Sequence, residues 1–108
     1  MTKNSEEKVQ QLQLMEQNLQ TLLLQRQKFQ SQLLEAENAL NELKATKKEV
    51  FKIIGTIMVE SDKEVLIQDL ESQKEILDLR IKNIEKQESL IKEQESKLQS
   101  DIMREMKK

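Results

Sequence analysis

The chain has no cysteine, histidine, proline, tryptophan or tyrosine, and only one glycine and two phenylalanines among its 108 residues. Each absence removes a class of protein. Without cysteine there is no disulfide framework and no thiolate metal site. Without histidine as well, the usual zinc ligand sets are gone, because carboxylates alone suit harder cations. Globular domains draw on aromatics and on Gly/Pro turns to close a compact core, and both are nearly missing. No apolar run approaches the roughly 20 residues that span a bilayer. The opening MTKNSEEKVQQ is polar, with two glutamates among its charges and no apolar core, unlike a secretory signal, so a cytoplasmic location is expected. The formal net charge is −2, from 18 basic and 20 acidic residues, and no block is charged enough for a nucleic-acid or membrane partner. The carboxylates are scattered along the chain with no histidine or glycine-rich loop beside them, so no catalytic residue, metal site or cofactor is expected, and the chain does not read as an enzyme. The lone Gly55 gives no phosphate cradle.

What remains is a set of good helix formers: Leu, Ile, Glu, Lys and Gln. A 3-4 spacing from Leu12 runs through Met15, Leu19, Leu22, Arg26, Phe29, Leu33, Ala36, Leu40 and Leu43. Only Arg26 breaks it, where random placement would make about four of the ten apolar. A 3.5-residue average period marks a coiled-coil stripe. Arg26 is expected to snorkel out of this seam. The glutamines between Gln10 and Gln32 form a neutral outer face.

A second helical stretch carries Leu70, Leu77, Ile84, Ile91 and Leu98 seven apart. Its companion row, Ile67, Lys74, Ile81, Glu88, Glu95 and Ile102, is only half apolar. Acid-first i,i+4 pairs are expected at Asp78–Lys82, Glu88–Lys92 and Glu93–Lys97, each worth about 0.2–0.5 kcal/mol. Ser61-Asp62-Lys63-Glu64 reads as a capping box in which Ser61 caps the helix. Arg104, Lys107 and Lys108 complement the helix dipole, or touch an acidic partner.

Between the helices lies Val50-Phe51-Lys52-Ile53-Ile54-Gly55-Thr56-Ile57-Met58-Val59-Glu60, β-branched and aromatic. Phe51, Ile53, Ile57 and Val59 alternate with Lys52, Thr56 and Glu60, and Ile54 and Met58 make the second face partly apolar. This predicts a β-hairpin turning at Ile54-Gly55-Thr56, where a tight turn requires positive φ. A short hairpin between helices of matched length folds them back antiparallel. The expected architecture is mainly α: a long antiparallel two-helix coiled coil joined by one β-hairpin. Its pieces are a helix over 6–46, a hairpin over 50–60 and a helix over 62–106, all in a single domain, 1–108. A lone hairpin is marginal in water, and one with apolar faces and open edges calls for sister hairpins. Phe51, Ile53, Ile54, Gly55, Ile57, Met58 and Val59 are therefore the candidate oligomerisation residues, building an intersubunit β-barrel.

The stretch Val50–Glu60, followed by an acidic capped helix start, resembles the segment between the helices of beta-class prefoldin subunits. The layout of helix, one hairpin, helix is similar to that family over nearly the whole chain; alpha-class members carry two hairpins. The short tails and lack of cysteine resemble archaeal members. The resemblance implies a hexamer of two alpha and four beta subunits, whose hairpins form β-barrels and whose helical arms hang free. It implies an ATP-independent chaperone (a holdase) that binds unfolded client proteins at the arm tips and passes them to a group II chaperonin. The tip candidates are Val9, Leu12, Leu14, Met15, Leu98, Ile102, Met103 and Met106. Three of them are methionine, a flexible and polarizable side chain suited to promiscuous apolar contact. The seam residues Leu12, Met15, Leu98 and Ile102 are expected to close the coiled coil, and the off-seam ones to meet clients. The competing reading is a structural coiled-coil scaffold or spacer without client binding.

Overall fold

The computed structural model describes residues 3–107. Their order is α1 (Lys3–Ala45), β1 (Val50–Ile54), β2 (Ile57–Ser61) and α2 (Lys63–Met106). With 43 and 44 residues, each helix is about 65 Å long. Among the described residues no helix is long and apolar enough to cross a membrane.

The ten-position stripe of α1 is the inward face: every one of its residues is buried or half-buried. The same holds for both rows of α2, including Lys74, Glu88 and Glu95. The chain divides into two compact units, one from Met1–Lys28 with Lys82–Lys108 and one from Phe29–Ile81. Within the first, Lys8 pairs with Glu105 and Arg26 with Glu88, so the helices run antiparallel. Ile84 and Ile102 are its buried apolar residues. Within the second, Glu37–Lys74 and Lys44–Glu71 pairs, at 3.8 and 3.6 Å, show the same direction. Ala36, Leu40, Leu77 and Ile81 are buried there, and Arg80 lies 5.5 Å over the Phe29 ring. That cation–π contact contributes about 0.5–1 kcal/mol at an exposed site. Among the described residues no side chain is below 2% exposure, as follows from pairing only two helices.

The ion pairs therefore run chiefly across the helices. Among the described residues none forms at Asp78–Lys82, Glu88–Lys92 or Glu93–Lys97, and the pair along a helix is Arg104–Asp101. Lys108 of the basic C-terminal cluster lies outside the described residues.

The hairpin unit shows how the connections are made. Beyond the end of α1, the Thr46 amide still donates to the Glu42 carbonyl. The Thr46 carbonyl accepts from the Lys63 ammonium at 2.8 Å, so a cation from the first residue of α2 satisfies the end of α1. Asp62 caps α2: its Oδ1 accepts from the Glu64 amide at 2.9 Å. This corrects the expected Ser61 cap. Ser61 is held in β2 opposite Val50, and its hydroxyl donates to the Val59 carbonyl. Asp62→Ala should therefore cost about 1 kcal/mol of unfolding free energy in a urea titration, whereas Ser61→Ala should cost less.

Strands β1 and β2 pair antiparallel with Ile54 opposite Ile57 and Ile53 opposite Met58, leaving a two-residue turn, Gly55-Thr56. Gly55 has φ +61, and among the described residues no other residue has positive φ. Positive φ at the first turn position alone is the type II′ pattern, whose twist matches the flanking strands.

The pairing corrects the expected faces. Directly opposed residues share a face. Val50, Lys52, Ile54, Ile57, Val59 and Ser61 therefore line one side, and Phe51, Ile53, Met58 and Glu60 the other. A turn of even length exchanges odd and even positions between the strands, so Ile57 and Val59 do not join Phe51 and Ile53.

Candidate interaction surfaces

In the hairpin unit, residues 51–60 are all exposed. Ile53, Met58 and Ile57 keep 68%, 65% and 64% of their surface, far above the usual level for such side chains. Because the two apolar sets lie on opposite faces, no orientation of the ribbon against one surface covers both. The Phe51 side borders an open apolar groove with Ala39, Leu43, Ile53, Leu66 and Leu70. Among the described residues each edge of the ribbon also lacks a neighbouring strand, since the sheet has two strands. Exposed apolar faces together with free edges make the ribbon the candidate surface for pairing between chains.

The terminal unit holds the second candidate surface. Leu14, Met103 and Met106 are exposed, Val9, Leu12, Met15 and Leu98 are half-buried, and Ile102 is buried at 8%. Leu12, Met15, Leu98 and Ile102 thus pack in the helix seam, whereas Leu14, Met103 and Met106 face outward. Further exposed leucines stand at Leu24 and Leu90 in the same unit.

Two polar arrangements in this unit escape the periodicity argument. Arg26 does not leave the seam. Its Nε donates to Glu88 Oε1 at 2.8 Å and its second guanidinium nitrogen to Oε2 at 3.3 Å, a fork on a buried carboxylate. The polar breaks in the two stripes are each other's partners. The signal was available, since the two positions lie at similar distances from the hairpin turn, 29 residues before Gly55 and 32 after Thr56.

The second arrangement is Glu95, one heptad further along α2. It is buried at 8%, and its Oε1 has no hydrogen-bond partner. Its pKa is raised above the ordinary carboxylate value, first by a hydrogen bond to the Glu16 carboxyl, then by burial and by the Glu16 charge; Lys92 opposes the shift. Among the described residues no group of three or more acidic side chains is placed to hold a metal ion.

A family model described as prefoldin subunit matches residues 6–108. The prefoldin beta subunit of Pyrobaculum aerophilum is 34% identical over 74 residues, 67% of this chain and 59% of that relative. The one from Caldivirga maquilingensis is 35% identical over 68 residues, 61% of this chain and 56% of that relative. The chain thus spans less than two thirds of the length of these curated relatives. Among solved structures, the prefoldin beta subunit from Thermococcus strain KS-1 matches with a TM-score of 0.88 and 30% identity, over 94% of this chain and 90% of its own. The beta2 subunit from the same strain shares the fold, with a TM-score of 0.74 and 21% identity, over 82% of this chain and 97% of its own. The two long helices, the single type II′ hairpin and a family match over almost every residue lead to one conclusion: the chain belongs to the prefoldin subunit family, and the relatives it resembles here are beta subunits.

Proposed function

We propose that this chain is one domain that works as a beta-type subunit of a cytoplasmic, ATP-independent holdase. The observation that carries the reading is the hairpin, apolar on both faces and exposed in the single chain. Sister hairpins cover it by forming β-barrels, in a hexamer of two alpha and four beta subunits. The helical pair then projects as an arm. Leu14, Met103 and Met106, with Val9 beside them, meet unfolded clients, and Leu12, Met15, Leu98 and Ile102 hold the arm closed behind them. Each aliphatic group buried against a client contributes roughly 1.5–3 kcal/mol, much of it offset by ordering. Several arms on one client gain by effective concentration, so that release to a group II chaperonin requires competition rather than nucleotide.

The packed seam residues also suit a structural spacer, and one experiment separates the readings. The chain is mixed with an alpha-class subunit, the mass is measured by light scattering, and a denatured client is added. The holdase gives a mixed hexamer that suppresses client aggregation. Trimming about ten residues from each end should abolish suppression while leaving the hexamer mass reduced only by the trimmed residues, because avidity resides in the arms. A chain that leaves client aggregation unchanged is a spacer, and no mixed hexamer together with no suppression refutes the holdase.

A further inference from the structure

The two open edges of the ribbon are not alike. Residues that flank a two-residue turn bond to each other, and hydrogen-bonded and non-bonded pairs then alternate along an antiparallel ladder. The pairs Ile54/Ile57, Lys52/Val59 and Val50/Ser61 therefore turn their backbone groups inward. Phe51 and Ile53 on β1, and Met58 and Glu60 on β2, aim theirs at the open edges. The groove beside the ribbon belongs to one of these edges. It is lined by Phe51, Lys52 and Ile53 of β1, and by no residue of β2 among those described. Lys52 lies on the face opposite Phe51 and Ile53, so the groove opens past the rim of β1 and not beneath the middle of the ribbon. Ala39, Leu66 and Leu70 of the helices form its far wall. A strand added to β1 would lie about 4.8 Å further out, over this groove, with every second side chain pointing into it.

We propose that the groove seats the β2 strand of a second copy of this chain, hydrogen-bonded to the outer edge of β1 with Ile53 opposite the second copy's Met58 and Phe51 opposite its Glu60. This rests on the reading of the ribbon as the assembly module and names which edges meet. Three antiparallel pairings are open to copies of one chain. Joining β1 to β1 over all five residues sets Lys52 against Lys52 in a close non-hydrogen-bonded pair, and like charges directly opposite destabilise. Joining β2 to β2 sets Val59 against Val59, but leaves both β1 edges and both grooves open. Joining β1 to β2 opposes Lys52 to Val59 and sets no two like charges directly opposite. It also carries Met58, 65% exposed in the single chain, over the groove beside Ile53. An unbranched thioether side chain suits such an irregular apolar seat. The pairing is head-to-tail, so each copy keeps one edge of each kind for the next, and a ring of copies leaves no edge open.

The chain has no cysteine, so introduced ones report the junction without background. Hydrogen-bonded pairs hold their Cα atoms about 5.5 Å apart, within disulfide reach. Full-length variants with one cysteine each, all at exposed ribbon positions, are unfolded together in pairs, refolded and oxidised. Mass spectrometry then separates mixed from like dimers. Ile53→Cys with Met58→Cys reads β1 joined to β2. Ile53→Cys with Phe51→Cys reads β1 joined to β1, and Met58→Cys with Glu60→Cys reads β2 joined to β2. The first mixture should give several-fold more mixed dimer than either of the others. Ala39→Phe, added to the Ile53→Cys chain, fills the groove from α1 and should cut that yield several-fold with helical circular dichroism unchanged. A larger yield in another mixture, no mixed dimer in any, or a yield indifferent to Ala39→Phe overturns the edge assignment. Should Ale39→Phe lower the helix content, the ranking of the three mixtures decides alone. Light scattering of the cysteine-free chain with an alpha-class subunit tests the subunit reading separately, since a mixed hexamer beside any of those outcomes sinks the edge assignment only.

Discussion

Arg26→Leu should lower the unfolding free energy of the chain by about 3 kcal/mol, although it supplies the apolar residue that the α1 stripe lacks. The cause is Glu88. Its side chain is 9% exposed, and both oxygens are occupied by the Arg26 fork. Leucine at 26 leaves that carboxylate buried beside an apolar side chain, and an uncompensated inward charge costs more than a completed stripe returns. The estimate lies at the low end for a broken buried pair because the Arg26 side chain keeps 27% exposure, so water reaches the site. Arg26→Leu combined with Glu88→Leu should restore the loss and can exceed the starting stability, since apolar replacements for a whole inward pair are often neutral or better. Urea unfolding followed by helical circular dichroism at matched concentration gives both numbers. A double variant as weak as the single one would show that the fork is not what holds the two stripes together.

Gly55→Val should abolish assembly with an alpha-class partner while leaving helix content nearly intact. A Cβ at Gly55 meets nothing within 4 Å, so the penalty is not a clash with a neighbour. It comes from the backbone: φ is +61, where a β-branched residue is strained by about 1–3 kcal/mol. A two-stranded ribbon is marginal by itself, so a loss of that size is enough to disorder it. Every contact proposed between subunits starts from that ribbon. Light scattering of the mixture should show no hexamer, and circular dichroism should change little because α1 and α2 account for most of the chain. Gly55→Asn, which tolerates positive φ better, should assemble more nearly as the wild type does. A full-mass hexamer from Gly55→Val would remove the turn from the assembly.

The seam of α1 was legible because a 3-4 repeat over ten positions has one physical interpretation, and each of the ten lies inward. Gly55 was legible for the same kind of reason: a single glycine among β-branched residues marks the one place where positive φ is affordable. Three features were not. The Ser61 cap was misread because an S-x-x-E pattern scores the sequence spacing and does not register that Ser61 is already committed to the strand pair. The hairpin faces were misassigned because alternation counts along one strand, whereas faces are set by pairing across the turn. Arg26 and Glu88 were judged helix by helix, and a break in one stripe has no partner until the other stripe is laid beside it. The outward set Leu14, Met103 and Met106 was separable from the inward set Leu12, Met15, Leu98 and Ile102 by heptad position alone.

The two-residue turn also decides which register the ribbon forgoes. A three-residue turn would set Ile54 against Met58 and Lys52 against Glu60, gathering Phe51, Ile53 and Val59 on the reverse side. That slipped ribbon would gather both charges, Lys52 and Glu60, on one side with Ile54 and Met58, and leave Phe51, Ile53 and Val59 in uncharged company on the other. Holding the tighter reversal at Gly55 instead divides the charges, Lys52 to one side and Glu60 to the other, so that each side of the ribbon mixes one charge with several aliphatic or aromatic groups.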